Sequence, residues 1–331
     1  MKRCRLAAVV PLGLILIALA ACDFAYPAVE GKFERTLTVS GPVSLDVSTG
    51  SGRIAVRAGS ASAVQIFGEI RARDDWKNNA QEKVRYLMEN PPIEQTGNVI
   101  RIGRIENSTY RNNVSISYEI IVPAETTVRS STGSGSQNIE GIRGAVNAST
   151  GSGSITMADI GSGVVAHTGS GGIRLDQIAG TVEAQTGSGS IHALGISGSI
   201  KAATGSGGIT LEQVAAEHGG ALDVEAGTGS GSIVVSGVNG SLRAESGSGG
   251  IRASGIPAGD WTIDASSGSV TLNLGSGAAF DLYARSSSGQ ITTDLPITVT
   301  GTIGKHEMRG KVRGGGRLIE VTTHSGGITI R

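Results

Sequence analysis

Between residues 132 and 331 the apolar side chains fall at alternate positions in short bursts, and the bursts return at a nearly fixed interval. One burst reads Ile155-Thr156-Met157 and the next Val164-Val165-Ala166-His167-Thr168, the period-two pattern of half-buried strands. Each pair of bursts meets at the phrase Thr-Gly-Ser-Gly. It begins at Thr132, Thr150, Thr168, Thr186 and Thr204, eighteen residues apart, then at Thr228 and Ser246; it loosens near Ser266 and Ser287 and closes at Thr323. Repetition of this kind signals a repeat architecture. Aligned on the phrase, Ile155, Ile173, Ile191, Ile209, Ile233 and Ile251 form one apolar column, and Ile160, Ile178, Ile196, Val214, Val238 and Ile256 form another. Thr156, Arg174, His192, Thr210, Val234 and Arg252 share only a tolerance of water. The two apolar columns are expected inside and the third outside.

Two strands and two small-residue corners per repeat cannot bury their own apolar face, so successive repeats must stack strand over strand. The expected fold is all-β, a parallel β-solenoid (β-helix) with rungs of about 18 residues. Roughly ten rungs would make a rod on the order of 50 Å long. Ala166, Ala184, Ala202 and Ala244 on the second strand predict a narrow core. The glycines of the corner are expected to supply positive φ, and the serines local bonds to backbone.

The same pattern appears earlier, in Thr36-Leu37-Thr38-Val39, Val43-Ser44-Leu45-Asp46-Val47 and Thr49-Gly50-Ser51-Gly52-Arg53-Ile54, but the next copy of the phrase follows 83 residues later. This divides residues 33–331 into opening rungs (33–70), an insertion (71–128) and a regular array (129–331). Inside the insertion, Trp76, Ala80, Val84, Leu87 and Met88 make a helical stripe between Asp74-Asp75 and Pro91-Pro92. One amphipathic helix is expected, capped by aspartate and stopped by proline, with strands after it at 99–105 and 114–122. A solenoid's first rung exposes an apolar cross-section and free strand edges, and this helix is the expected cap, with a partner-docking face as the alternative reading of its Met and aromatic stripe.

Lys2, Arg3 and Arg5 precede an apolar run that ends in Leu19-Ala20-Ala21-Cys22, which reads as a signal peptide over residues 1–21. Its cleavage site resembles the lipobox of bacterial lipoproteins. That resemblance implies that Cys22 becomes the first mature residue, is acylated on sulfur with palmitate-like chains, and anchors the chain to a membrane; two or more chains hold stably. Residues 22–32, with Pro27, suit a tether. Asp23 resembles an inner-membrane retention signal, but inner and outer membrane both stay open. Cys4 is lost with the signal, so the mature chain has one cysteine and no internal disulfide. Removing three basic residues leaves 25 basic against 28 acidic, a net charge of −3. That is no nucleic-acid footprint.

The charge is unevenly placed. Lys305, Arg309, Lys311, Arg313, Arg317 and Arg331 face only Glu307 and Glu320 in the last 36 residues (+4), whereas residues 132–295 carry six basic and thirteen acidic groups (−7). Such a cluster is either a solvated closing turn or a contact for an envelope polyanion or an acidic partner. Lys305, Arg309, Lys311, Arg313 and Arg317 are therefore the candidate contact residues. The chain contains no Gly-x-Ser-x-Gly, no phosphate-cradling glycine loop, no His-Glu-x-x-His and no Cys-x-x-Cys, and His167, His192, His218, His306 and His324 are dispersed. No catalytic residue, metal ligand or cofactor is expected. Residues 131–260 have no aromatic side chain on which a sugar or base could stack, and Trp261, Phe280 and Tyr283 are expected in the core.

The Val-x-Ala-x-Thr-Gly-Ser-Gly-Ser-Ile units, the Val122-Pro123 that leads into them and the closing Val321-Thr-Thr-His-Ser-Gly-Gly-Ile-Thr-Ile330 resemble a bacterial family labelled "putative adhesin". It is a domain of unknown function built of β-strand repeats, and the resemblance covers residues 33–331. It implies a non-enzymatic β-solenoid in the cell envelope that presents a surface for binding or scaffolding, and it supplies no catalytic residues. Its partners would be the membrane, through lipidated Cys22, and an envelope protein or polysaccharide. Two alternatives stand beside it. A β-helix enzyme acting on polysaccharide would need outward charged residues clustered on adjacent rungs, and an envelope-stress sensor would act through a protein partner.

Overall fold

The computed structural model describes residues 28–59, 62–74, 79–214, 220–275, 277–299 and 304–331; Cys22, Trp76 and His218 lie outside the described residues. Each repeat folds into one strand that ends on the corner threonine, such as Val164–Thr168, and one that follows the corner, such as Ile173–Ile178. Strands of the first kind stack in parallel, Val146 on Val164 on Val182 on Ile200, and build a first face. Strands of the second kind stack Ile155 on Ile173 on Ile191 on Ile209 and build the opposite face. The inward residues of both faces are buried and form one continuous core, kept thin by Ala148, Ala166, Ala184, Ala202, Ala226 and Ala244. His192, Arg174 and Arg252 point outward as expected. Ile256 does not follow its column. The ladder shifts register after Val235, Gly255 takes the place opposite Val238, and Ile256 is left 63% exposed.

The corner phrase has a different physical basis from the expected one. Its glycines are absent from the positive-φ residues; they are required because adjacent rungs touch backbone to backbone. A Cβ on Gly153, Gly171, Gly189 or Gly207 would lie 1.8–1.9 Å from the carbonyl oxygen of the equivalent glycine one rung back. Positive φ falls elsewhere, at Gly141, Asp159, Gln177, Gly195, Gln213 and Gly237, one residue before the last inward side chain of the second-face strand. The corner threonine is buried and works in both directions. Thr168 Oγ1 donates to Gly153 O (2.9 Å) and accepts from Gly171 N (3.1 Å); Thr150, Thr186, Thr204, Thr228, Ser246, Ser286 and Thr323 repeat both bonds. The ladder thus pairs backbone groups that a rung cannot pair by itself. Ala265 interrupts it.

Both ends of the rod are laced out of sequence order. Val43–Thr49 and Ile54–Ala58 lie between Thr126–Thr132 with Gln137–Glu140 on one side and Val99–Ile102 with Val114–Val122 on the other. Hence part of the expected insertion supplies the outermost parallel rung, and within 33–70 only residues 43–58 run parallel to their neighbours. At the far end Arg317–Thr323 and Ile328–Ile330 slot between Ile251–Ala265 with Val270–Leu274 and Phe280–Ser286 with Ile291–Thr293. The last rung in sequence is the penultimate rung in space. Twelve rungs stack among the described residues, a length of about 55 Å.

The N-terminal end is closed by an antiparallel pair, Val29–Thr38 on Ala63–Ala72, which continues the second face beyond Val114–Val122. The helix Ala80–Glu89 packs on the inward side of this pair, where the first face has run out of strands, with Ala80, Val84 and Leu87 buried. Asp74 Oδ1 accepts the amide N–H of Ala80 (2.9 Å), and the helix ends just before Pro91. Met88, expected in the buried stripe, is exposed; Lys83 is buried instead and donates from Nζ to Asn112 O (3.0 Å). At the C-terminal end Glu307–Val312 runs antiparallel to both Phe280–Ser286 and Ile297–Val299 and extends the first face.

Candidate functional site

Along the outer surface of the first face one side-chain column can be followed from rung to rung. Glu183, Lys201, Glu225 and Arg243 are successive register partners, and Thr262, Glu320, Tyr283 and Arg309 continue the line to the end of the rod. Its charges alternate in sign. Lys201 Nζ lies 3.1 Å from Glu225, and Arg243 pairs with Glu245 in the neighbouring column. Beside it a shallow groove of about 850 Å³ crosses seven rungs, where Ala145 and Gly163 leave space next to Arg129, Glu183 and Lys201. On the second face Arg174 is followed by His192 and Thr210, and the column carries no alternating charges there.

The candidate basic residues come together at the C-terminal end of this face, but they do not form a bare positive patch. Glu307, Arg309 and Lys311 alternate outward along one strand while Met308, Gly310 and Val312 face inward. The Arg309 guanidinium lies 4.3 Å from the centroid of the Tyr283 ring, and its Nε is 3.0 Å from Glu307. Hydrogen bonding to Tyr283 is the main cause that raises its pKa further above an already high value. Lys311 sits 3.5 Å from Asp281, and Arg313, in the left-handed region at φ 47°, donates to Ala278 O (3.1 Å). Lys305 and Arg317 are exposed, and Leu318 beside Arg317 is 42% exposed.

Trp261 and Phe280 are fully buried, and Trp261 Nε1 donates to Gly240 O (3.0 Å). Tyr283 is not core: it is the part-exposed platform under Arg309. Period-two alternation through Phe280-Asp281-Leu282-Tyr283 already puts Tyr283 on the outward side with Asp281. What no spacing could reveal is that an antiparallel strand brings Arg309 opposite Tyr283 and Lys311 opposite Asp281. A guanidinium stacked on an aromatic ring is pre-ordered and suits the centre of a contact, where Arg and Tyr are enriched.

A family model described as Toastrack DUF4097 matches residues 43–331. Among solved structures, one titled a "putative cell adhesion protein" from Clostridium sporogenes is 13% identical, and the match covers 91% of this chain and 99% of that one with a TM-score of 0.20. Another, titled a "putative adhesin" from Bacteroides fragilis, is 11% identical, with 91% and 97% covered and a TM-score of 0.33. A search of curated proteins finds no match.

Proposed function

The chain belongs to the Toastrack DUF4097 family, and from that premise we propose a lipid-anchored, non-enzymatic lipoprotein of the bacterial cell envelope that holds out a rigid rod for binding or scaffolding. The anchor rests on Leu19-Ala20-Ala21-Cys22 behind a basic, apolar leader. One observation carries the non-enzymatic part: outward charges on adjacent rungs alternate in sign and pair with one another, as Lys201 does with Glu225. A polysaccharide-cleaving site would instead gather carboxylates, one held protonated and one ionised, about a single point.

The contact surface is the C-terminal end, centred on Arg309 over Tyr283 and flanked by Lys305, Lys311, Arg313 and Arg317, and its partner is an envelope protein or an acidic polysaccharide. Binding to envelope extracts separates this from the groove and the shaft. The comparison takes wild type, an Arg309→Glu/Lys311→Glu/Arg313→Glu variant, a groove-filling Thr181→Trp variant and a shaft variant with Arg174→Glu and Arg252→Glu. Loss confined to the triple variant is expected. Loss confined to either of the other two would move the functional surface off the end of the rod.

A further inference from the structure

Large apolar side chains that remain exposed on a well-packed repeat protein need a reason, because most rungs bury their apolar residues against a neighbour. Five large hydrophobics are exposed among the described residues, and three of them, Tyr86, Met88 and Val99, lie in the N-terminal cap segment. Tyr86 is 37% and Met88 41% exposed. Tyr86 also stacks on Tyr110 of the short helix Ser108–Arg111, ring centroids 3.9 Å apart and planes within 13°, so the two phenols form one pre-ordered aromatic pair. Neither the core nor any strand edge uses it.

Its position relative to the chain's entry is informative. Gly31 lies directly beneath the helix: a Cβ there would be 2.7 Å from the Met88 sulfur. Val29 opens the first strand, and six residues separate it from Cys22. Seven residue steps span at most about 25 Å even when fully extended. If Cys22 carries the acyl chains, the helix end of the rod is held within that distance of the lipid surface, whereas the far end lies about 55 Å along the stack and is not so constrained. A patch tethered so closely meets the bilayer at high effective concentration. Tyrosine suits that boundary, since its ring is apolar and its hydroxyl stays wet. Among the exposed groups nearby, Arg85 and Arg111 are balanced by Glu82 and Glu89, so no anionic lipid is required.

We propose that Tyr86, Met88 and Tyr110 form a bilayer-docking surface, which seats the cap in the headgroup layer of the same leaflet that holds Cys22. The proposal rests on the lipid-anchor reading and adds to it an orientation: the rod is braced at its base and does not swing on a loose tether.

The test uses the full-length lipidated protein in vesicles of phosphatidylethanolamine and phosphatidylglycerol whose acyl chains carry bromine near the headgroup. Trp76→Phe removes one native indole and Trp261 is buried, so two reporters can be compared, Met88→Trp in the cap and Leu318→Trp at the opposite end. With seating at the headgroup boundary, emission from the position-88 indole falls by about half or more and the position-318 indole is unaffected. Protein that floats with the vesicles while both indoles stay unquenched overturns the docking surface and leaves the anchor intact. Protein that does not float overturns the anchor reading, and the proposal falls with it. An indole at position 88 that is shielded equally without vesicles, together with cross-links between copies, identifies a second copy as the occupant and overturns it as well.

Discussion

Replacing Thr186 by valine isolates the corner hydroxyl, because the two side chains have nearly the same shape. Thr186 is buried; it donates to Gly171 O at 2.8 Å and accepts from Gly189 N at 3.1 Å. Valine leaves both backbone groups unpaired. Each buried orphan costs about 1–3 kcal/mol, and because the Gly189 bond is only partly buried the low half of the summed range applies, about 2–4 kcal/mol. Thr186→Ser keeps both bonds and gives up one methyl group, about 1 kcal/mol; serine already fills this role at Ser246 and Ser286. Urea denaturation should therefore rank wild type above Thr186→Ser and Thr186→Ser above Thr186→Val. The neighbouring Gln185→Ala should stay within about 0.5 kcal/mol of wild type. A solenoid is a stack of near neighbours, so amide exchange should accelerate first in the valine variant at Gly189, whose N–H loses its acceptor. A valine variant as stable as the serine variant would refute the idea that the hydroxyl holds the rungs together.

Three further outcomes follow from the same ladders. Ile191→Asp buries an unpaired carboxylate at several kcal/mol, whereas His192→Asp beside it is nearly silent, and equal urea midpoints for the two would overturn the face assignment. Ala265→Thr restores the missing hydroxyl between Gly249 O and Gly268 N and should raise stability by about 1 kcal/mol; a lower midpoint would mean the site has no room for it. Burial raises the Tyr118 pKa, and its hydroxyl has no hydrogen-bond partner. A raised folded-state pKa means stability that is complete below about pH 10 and is lost as pH climbs from there toward the folded value. Tyr118→Phe should flatten that alkaline loss in pH-dependent denaturation, and an unchanged slope would exclude Tyr118 as its source.

The repeat, the two strands per rung and the inward columns were legible because burial on a strand has a strict period of two, so Ile191 and His192 cannot exchange roles without moving the whole rung. The corner was legible as a corner but not for its reason: glycine at Gly189 answers to the carbonyl of Gly171, a neighbour eighteen residues away, and not to its own φ. Positive φ at Asp159, Gln177 and Gln213 left no composition signal, since none of the three is glycine. Stack order was illegible for a related cause. The rungs offer one another variants of the same small-residue corner, so nothing local says that Thr323 stacks between Ala265 and Ser286. At the candidate site the basic residues could be read, but their partners Glu307, Asp281 and Tyr283 depend on that lacing and on an antiparallel strand.

Metabolic labelling with an alkyne fatty acid tests the central claim, that a rigid repeat rod is carried on lipid at its N-terminal end. Wild type should take up label on Cys22, and Cys22→Ser should remain unlabelled with its leader uncleaved, because acylation of this sulfur precedes removal of the leader in proteins with such a site. Membrane fractionation would not decide the matter, since an uncleaved leader also holds the chain there. Undiminished label in Cys22→Ser would contradict the account.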